Sequence, residues 1–503
     1  NNDGAVSYSG TLPINYNLII NSSSDYGQTT FSTVSGAMAF GIDIGNSTPS
    51  LDAFYDGVFT GLTTSGLSST SGSSGSYYWE LLDRNSDNHW GLNIASSGDI
   101  TIDSAIDYAS SSDRFGFWQA YNDNSIIRIN NDISTNSASG FYNSNTDNST
   151  ISTKNITTVG YGGYGFESYS SSTNDITLTG NISTSGSSSH GIYLLTSDSN
   201  ITTMTGDITT TGNYANGLYL FSSDSNTTTL TGDISTGSVD GVTGVLSYGL
   251  VFSFSDSNTT TLTGNISTTG SSAYGLIFST SDSNITSLTG NITTTGSSAY
   301  GLIFVTSDSN ITSLTVNITT TGIHGYGLLL NSSDSNTTSL TGNITTTGQG
   351  GTGLYLYNSD SNTTTLTGNI STTGNYAHGL LLSSSDSNTI NLTGDISTTG
   401  SSAYGLRLAS SDSNTTTLTG DISTTGDNAH GLYLYDSDSN TTTLTGDIST
   451  TGIAGYGLYF ANSDSNTTTL TGDISTTGLA AYGLELAASD SNTVNLTGSL
   501  SAT

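Results

Sequence analysis

Over the C-terminal two thirds of the chain, apolar and polar residues alternate with a period of two. In residues 226–234, Thr228, Leu230, Gly232 and Ile234 share one parity, and Thr227, Thr229, Thr231 and Asp233 share the other. Alternation rich in Thr, Ile and Leu predicts a strand with its aliphatic side chains on the inner face and a line of Thr outside. A second strand, Gly217-Leu218-Tyr219-Leu220, turns Leu218 and Leu220 inward and Tyr219 outward. The intervening residues 211–215 and 222–225 are mostly Gly, Asn, Ser and Asp, the residues of tight turns. Helix formers are scarce, and the two prolines, Pro13 and Pro49, lie outside the repeated region.

The pattern itself recurs. The Asp of an S-D-S-N segment falls at Asp198, Asp224, Asp256, Asp282, Asp308, Asp334, Asp360, Asp386, Asp412, Asp438, Asp464 and Asp490. Each step is 26 residues except the one from Asp224 to Asp256, which is 32. A fixed period of this size predicts stacked units, each of two or three strands, with every strand paired to its copies about 4.8 Å above and below. The expected fold is an all-β parallel β-helix, right-handed by the usual preference of strand crossovers. Corner glycines from Gly116 to Gly483 count about 15 coils of about 26 residues, a stack on the order of 70 Å long. The six extra residues in 237–245 read as a loop. Each coil holds too few aliphatic side chains to offset the ordering of its backbone, so stability belongs to the stack.

Two domains follow: β-helix repeats over residues 96–503, and an irregular β region over residues 1–95 that serves as a cap or an inter-subunit connector. Residues 12–20 read as an extended strand carrying Leu12, Ile14, Tyr16, Leu18 and Ile20. At the other end the chain stops in mid-coil after Leu496 and Leu500. Such a coil presents unpaired N–H and C=O groups. Either further chain or the N-terminal strand of a second molecule is expected to cover it, the latter giving a head-to-tail polymer.

Composition narrows the partners. Five Lys plus Arg against 39 Asp plus Glu give a formal charge of −34, which repels nucleic acid and anionic lipid. Cysteine is absent, so neither disulfides nor thiol redox chemistry is expected. No run of apolar residues is long enough for a membrane helix, so no membrane insertion is expected. The chain begins at Asn1 without a leader, as a processed secreted product would.

Candidate chemistry is sparse. His190, His378 and His430 precede the corner glycine at a position that elsewhere holds Tyr, which marks a stacking site. The Asp column, including Asp224, Asp256, Asp282, Asp308, Asp334 and Asp360, offers a candidate Ca²⁺ ladder. Against it stands a simpler role, each Asp capping its own turn. The following Asn is often in a glycosylation sequon, yet Asn388 and Asn492 keep the amide without one, which predicts a hydrogen-bonded Asn stack. Between the inward leucines, Tyr219, Ile277, Ile303, Leu329, Tyr355, Leu381, Tyr433 and Tyr459 predict an exposed apolar stripe for contact with a partner, with Arg407 and Glu485 in the same column reaching solvent. The Thr face resembles ice-binding solenoids, although Ile285, Ser287, Asn391 and Asn495 interrupt it. Asp83, Arg84, Asp87 and His89 near Trp90 form the one mixed cluster, and short corners with so little Arg argue against a pectate-lyase-like enzyme.

The G-[DN]-I-[ST]-T-[ST]-G and Y-G-L-x-[LF] segments resemble repeats of bacterial autotransporter passengers and related surface β-helix proteins. The resemblance spans about residues 96–503 and does not extend to that family's C-terminal membrane barrel. It implies an extracellular, surface-displayed structural protein, without enzymatic activity or cofactor, that supports adhesion or biofilm. Expected partners are copies of itself, surface glycans or other cells. A monomeric adhesin stalk is the alternative.

Overall fold

In the computed structural model each coil bends three times, at Gly232, before the corner glycine and at the S-D-S-N turn, and the bends are visible in its residues. The strand Thr227–Thr231 ends at Gly232, and Ile234–Gly237 continues on a different face. The corner glycine then leads into the Leu-x-Leu strand, Leu218–Phe221 in the preceding coil and Leu250–Ser253 in the next. A coil therefore has three strands, settling the choice between two and three. The structure describes residues 4–22, 24–45, 49, 55–75, 77–83, 88–96, 98–112, 115–237 and 246–503. Residues 238–245 of the loop expected at 237–245, together with Arg84 and Asp87, lie outside them, while Gly237 ends a strand.

The chain divides into two compact units, Asn1–Met204 and Thr205–Thr503. Within Thr205–Thr503 the three strands of each coil build three parallel ladders in strict register. Leu262 pairs with Leu288, Leu288 with Leu314, and Leu314 with Leu340. Ile266 pairs with Ile292, and Ile292 with Ile318. Identical residues one coil apart are thus held at the strand spacing: Phe252, Phe278 and Phe304 stack inside the coil at 4.8 Å between ring centres. Corners demand close approach. A Cβ on Gly275 would meet the Ile292 side chain and come within 2.6 Å of the Gly301 carbonyl oxygen.

Polar groups share this interior with the aliphatics. Thr228, which shares the inward parity of Leu230 and Ile234, is buried as that parity implies, and so are Thr236 and their copies. The Thr of the Ile strand bridges the next bend, as where Thr372 Oγ1 donates to the Ala377 carbonyl at 2.7 Å. The Thr228 column has no such partner, and its hydroxyls at Thr228, Thr260, Thr286, Thr312, Thr338 and Thr364 are buried without a hydrogen bond.

Asn1–Met204 begins differently. Ala5–Thr11, Gln28–Ser35, Tyr55–Thr60, His89–Ser96, Tyr77–Leu82 and Ser71–Ser74 form a mixed sheet in that spatial order. Asn15–Ser22 lies between Asp25–Tyr26 and Ala39–Asp43 in a small second sheet. Leu18, Ile20, Met38, Phe40, Phe59, Trp79 and Trp90 belong to its core. The three-ladder winding starts at Ile100–Ile102. Parallel pairing one coil apart already occurs before it, Ala5 with Gln28 and Asn15 with Ala39. These earlier windings raise the count to about 18 turns of about 26 residues among the described residues, against the 15 expected from the corner glycines. The one helical element described is a single 3-10 turn, Thr64–Gly66. The protein is an all-β parallel β-solenoid, a repeat protein of the β-helix class.

Candidate functional site

The residues with chemical potential stand in columns, so each is repeated along the stack and meets its own copy. From Asp224 to Asp464 each S-D-S-N carboxylate accepts a backbone N–H from the next coil: Asp282 N–H donates to Asp256 Oδ1, Asp308 to Asp282, and Asp334 to Asp308, all at 2.7 Å. The same bond joins Asp224 to Asp256 and Asp334 to Asp360. The expectation that each Asp caps its own turn is corrected, because stacking identical turns brings the neighbour's N–H to the carboxylate. Among the described residues no group of three or more His, Cys, Asp or Glu side chains is placed to hold a metal ion. A second column on the outer surface repeats the arrangement with Asn and Asp interchanged. Asn265 N–H donates to Asp233 Oδ1 at 2.7 Å, and Asp395 N–H to Asn369 Oδ1 at 2.8 Å. Either side chain supplies the needed oxygen, which explains why the sequence exchanges them.

The Asn stack is present. Asn310 Nδ2 donates to the Ser281 carbonyl at 2.9 Å and to Asn336 Oδ1 at 3.1 Å, while its own N–H donates to that same oxygen at 2.9 Å. Asn388 and Asn492, outside any sequon, accept in the same ladder. The column is buried from Asn226 to Asn466, so a folded coil leaves these sequons no room for a glycan. Sequence reasoning missed a parallel Ser ladder, in which Ser281 N–H donates to Ser307 Oγ at 3.0 Å and Ser281 Oγ to the Ser279 carbonyl at 2.9 Å. Its signal was the invariant first Ser of S-D-S-N.

The histidines are structural. His378 lies against Tyr404 at 4.8 Å with rings 3° from parallel, and His430 against Tyr456 at 4.8 Å and 7°. Their Nδ1 atoms accept the N–H of Tyr404 and Tyr456 at 3.1 Å, which requires neutral imidazole. Burial pushes His190 and His378 down to about 3 and His430 to about 4. Near Trp90, His89 Nε2 lies 3.2 Å from Asp56 Oδ1 on the surface, and Asp83 accepts the Asn88 N–H.

The stripe between the inward leucines is not the open patch expected. Ile277, Ile303, Leu329 and Leu381 are buried, Ile303 to 4% exposure, and Tyr219 and Tyr355 are partly covered. These side chains do point outward, but tyrosines from the position before the corner glycine fold over them. Tyr248, Tyr274, Tyr300 and Tyr326 stack at 4.8–4.9 Å and pack against the stripe as a second, external core. Tyr433 and Tyr459 stack at 4.9 Å and are half-buried. Arg407 lies over the rings of Tyr404 and Tyr433, 5.6 Å from each, and its Nε is buried, as is Glu485 Oε2. These two charges therefore shelter among tyrosines.

The N-terminal strand is also a correction. Leu12, Leu18 and Ile20 are buried within Asn1–Met204, and the Tyr16 hydroxyl is hydrogen-bonded to Thr29 Oγ1. Parallel pairing with Ala39–Asp43 puts Leu18 and Ile20 on the face that meets the unit's core. Only Ile14, at 85% exposure, is free for a partner. Ala5–Thr11, at the edge of its sheet, is exposed instead. In the last coil Leu486 and Leu500 are 46% and 49% exposed, and Leu496 is half-buried. The outer Thr227, Thr229 and Thr231 are exposed, as are most of their copies. No described helix is long and apolar enough to cross a membrane. Compared with protein-family models, curated proteins and solved structures, the chain matches none.

Proposed function

We propose that this protein is a non-enzymatic structural solenoid, displayed outside the cell, that associates with itself through the ends of its coil stack. One observation carries the reading: in the repeats, the side chains that look most like chemistry are engaged in joining one coil to the next. Asp, Asn and Ser bond the following turn, and His stacks on Tyr, so among the described residues no repeat coil holds a convergent set of groups that its neighbours lack. The autotransporter-passenger resemblance supports surface display and a role in adhesion or biofilm. A charge of −34 favours solubility and disfavours polyanionic partners.

Self-association rests on apolar surface. Leu486 and Leu500 are 46% and 49% exposed, and Ala5–Thr11 offers a sheet edge of the kind that accepts a strand. Negative-stain microscopy and sizing of the purified chain over a range of concentrations test the reading. Filaments that lengthen with concentration, and that Leu486→Glu with Leu500→Glu abolishes, are the expected result. Single particles at every concentration would refute self-association and leave the monomeric adhesin stalk.

A further inference from the structure

The repeats are uniform, but the first coils of Asn1–Met204 are not. Their outward column on the Leu-type ladder reads Trp118, Tyr142, Glu167 and Tyr193, and the next outward column reads Ala120, Ser144, Tyr169 and Leu195. Tyr78, from strand Tyr77–Leu82, packs against Trp118 and Ala120. Its ring lies 5.4 Å from that of Tyr121, tilted by 36°. Phe115 packs against the same cluster and stacks on Tyr142 at 4.8 Å.

These side chains enclose a cavity of about 100 Å³ lined by Tyr78, Trp118, Tyr121, Tyr142, Tyr169 and Glu80. Trp118 is 5% exposed, and its indole N–H is buried without a hydrogen-bond partner. Tyr121 and Tyr169 are exposed and stand at the rim. Glu80 lines the cavity beside Tyr142 and supplies its carboxylate. Among the described residues no Lys, Arg or His lines the cavity.

Aromatic faces carry negative potential, and with the Glu80 carboxylate they select a cation. Tyr78, Trp79, Trp118, Tyr121, Tyr142 and Tyr169 present rings to the cavity, with Ser71, Ser144 and Asn145 between them, and a wall made largely of rings favours a weakly hydrated cation over a metal ion or primary ammonium. A cation whose charge is sheathed in methyl groups loses little on entering, and its size suits the cavity, whereas a hexose ring is too large. We propose that this pocket binds a quaternary trimethylammonium group, whether from a choline lipid head or a small free betaine.

Isothermal titration of the full chain with tetramethylammonium and with choline tests this. Saturable one-to-one binding is expected. Tyr121→Leu, at the exposed rim where folding is insensitive, should weaken it about 5- to 30-fold, and Glu80→Gln should weaken it as well. Tyr435→Leu, in the repeats, should leave it unchanged. Binding to phosphatidylcholine vesicles as well as to free choline would support a lipid source, and binding to free choline alone a small soluble ligand. Absence of saturation by tetramethylammonium in folded protein would overturn the proposal. So would equal affinity in the Tyr121→Leu variant, or saturable binding of methyl glucoside in place of the ammonium probes.

Discussion

Thr364 and Thr372 lie in one coil, both inside it, and replacing each by Val should move stability in opposite directions. Thr364 is buried in the strand Thr363–Thr367 and its hydroxyl has no partner. Thr372 is buried in Ile370–Thr373 and its hydroxyl donates to the Ala377 carbonyl at 2.7 Å. An unpaired buried hydroxyl costs about 1–3 kcal/mol, and Val removes it while keeping the branched shape that suits a strand. The next coil already makes a related exchange, since Ile390 stands in register with Thr364 and is buried. Thr364→Val should therefore stabilise the coil by about 1 kcal/mol. Thr372→Val should destabilise it by about 1–3 kcal/mol, losing a bond and leaving a carbonyl without its donor. Stacked repeats do not unfold in one step, so the assay is native-state hydrogen exchange by mass spectrometry over residues 363–377, which reports local opening. A shift of the same sign in both variants would refute the assignment of paired and unpaired columns.

Other expectations follow from the ladders and the buried titratable groups. Asn362 accepts from Asn336 N–H and donates to the Ser333 carbonyl inside the coil, so Asn362→Ala should cost on the order of 3 kcal/mol by the same assay. Asp334→Ala, which removes the acceptor of the Asp360 N–H on the exposed ladder where water replaces the carboxylate, should cost well under about 1 kcal/mol. An unfolded imidazole takes up a proton near pH 6.5, whereas folded His378 and His430 resist until about 3 and about 4. Stability should thus be full above about pH 6.5 and fall as pH drops towards 4, and His378→Tyr with His430→Tyr should flatten urea midpoints measured across that window. Glu167 behaves oppositely: burial raises its carboxyl to about 7, so it loses stability as pH climbs from about 4.3 to 7. Glu167→Gln should raise the melting temperature at pH 8 and leave it little changed at pH 4.

The solenoid was legible because its period admits one register. Leu262, Leu288 and Leu314 can share an inner face only if each 26-residue unit closes a turn, and the Asn stack follows from the same closure. Parity was less complete a guide to exposure. It pointed Ile277 and Ile303 outward, as they are, but says nothing of a neighbour that folds over them, and Tyr274 and Tyr300 do so from the corner. The direction of the Asp bond was hidden for a similar reason, since a turn read singly offers only its own N–H. Leu18 and Ile20 had no repeat to set their register, so their place in the core emerged only from pairing with Ala39–Asp43. The aromatic pocket escaped because Tyr78 and Trp118 are far apart in sequence and belong to no shared pattern.

Strict coil-on-coil stacking within Thr205–Thr503 is the claim from which the rest follows, and spin-label distances along one column test it. Thr289, Thr393 and Thr497 stand on the same outward column, and the protein has no native cysteine to interfere with labelling. Labels at Thr289→Cys and Thr393→Cys, four coils apart, should lie about 19 Å from each other, and labels at Thr289→Cys and Thr497→Cys about 38 Å. Distances that double in this way would agree with one strand spacing per 26 residues. Broad distributions, or a separation that does not grow with the number of coils, would contradict it.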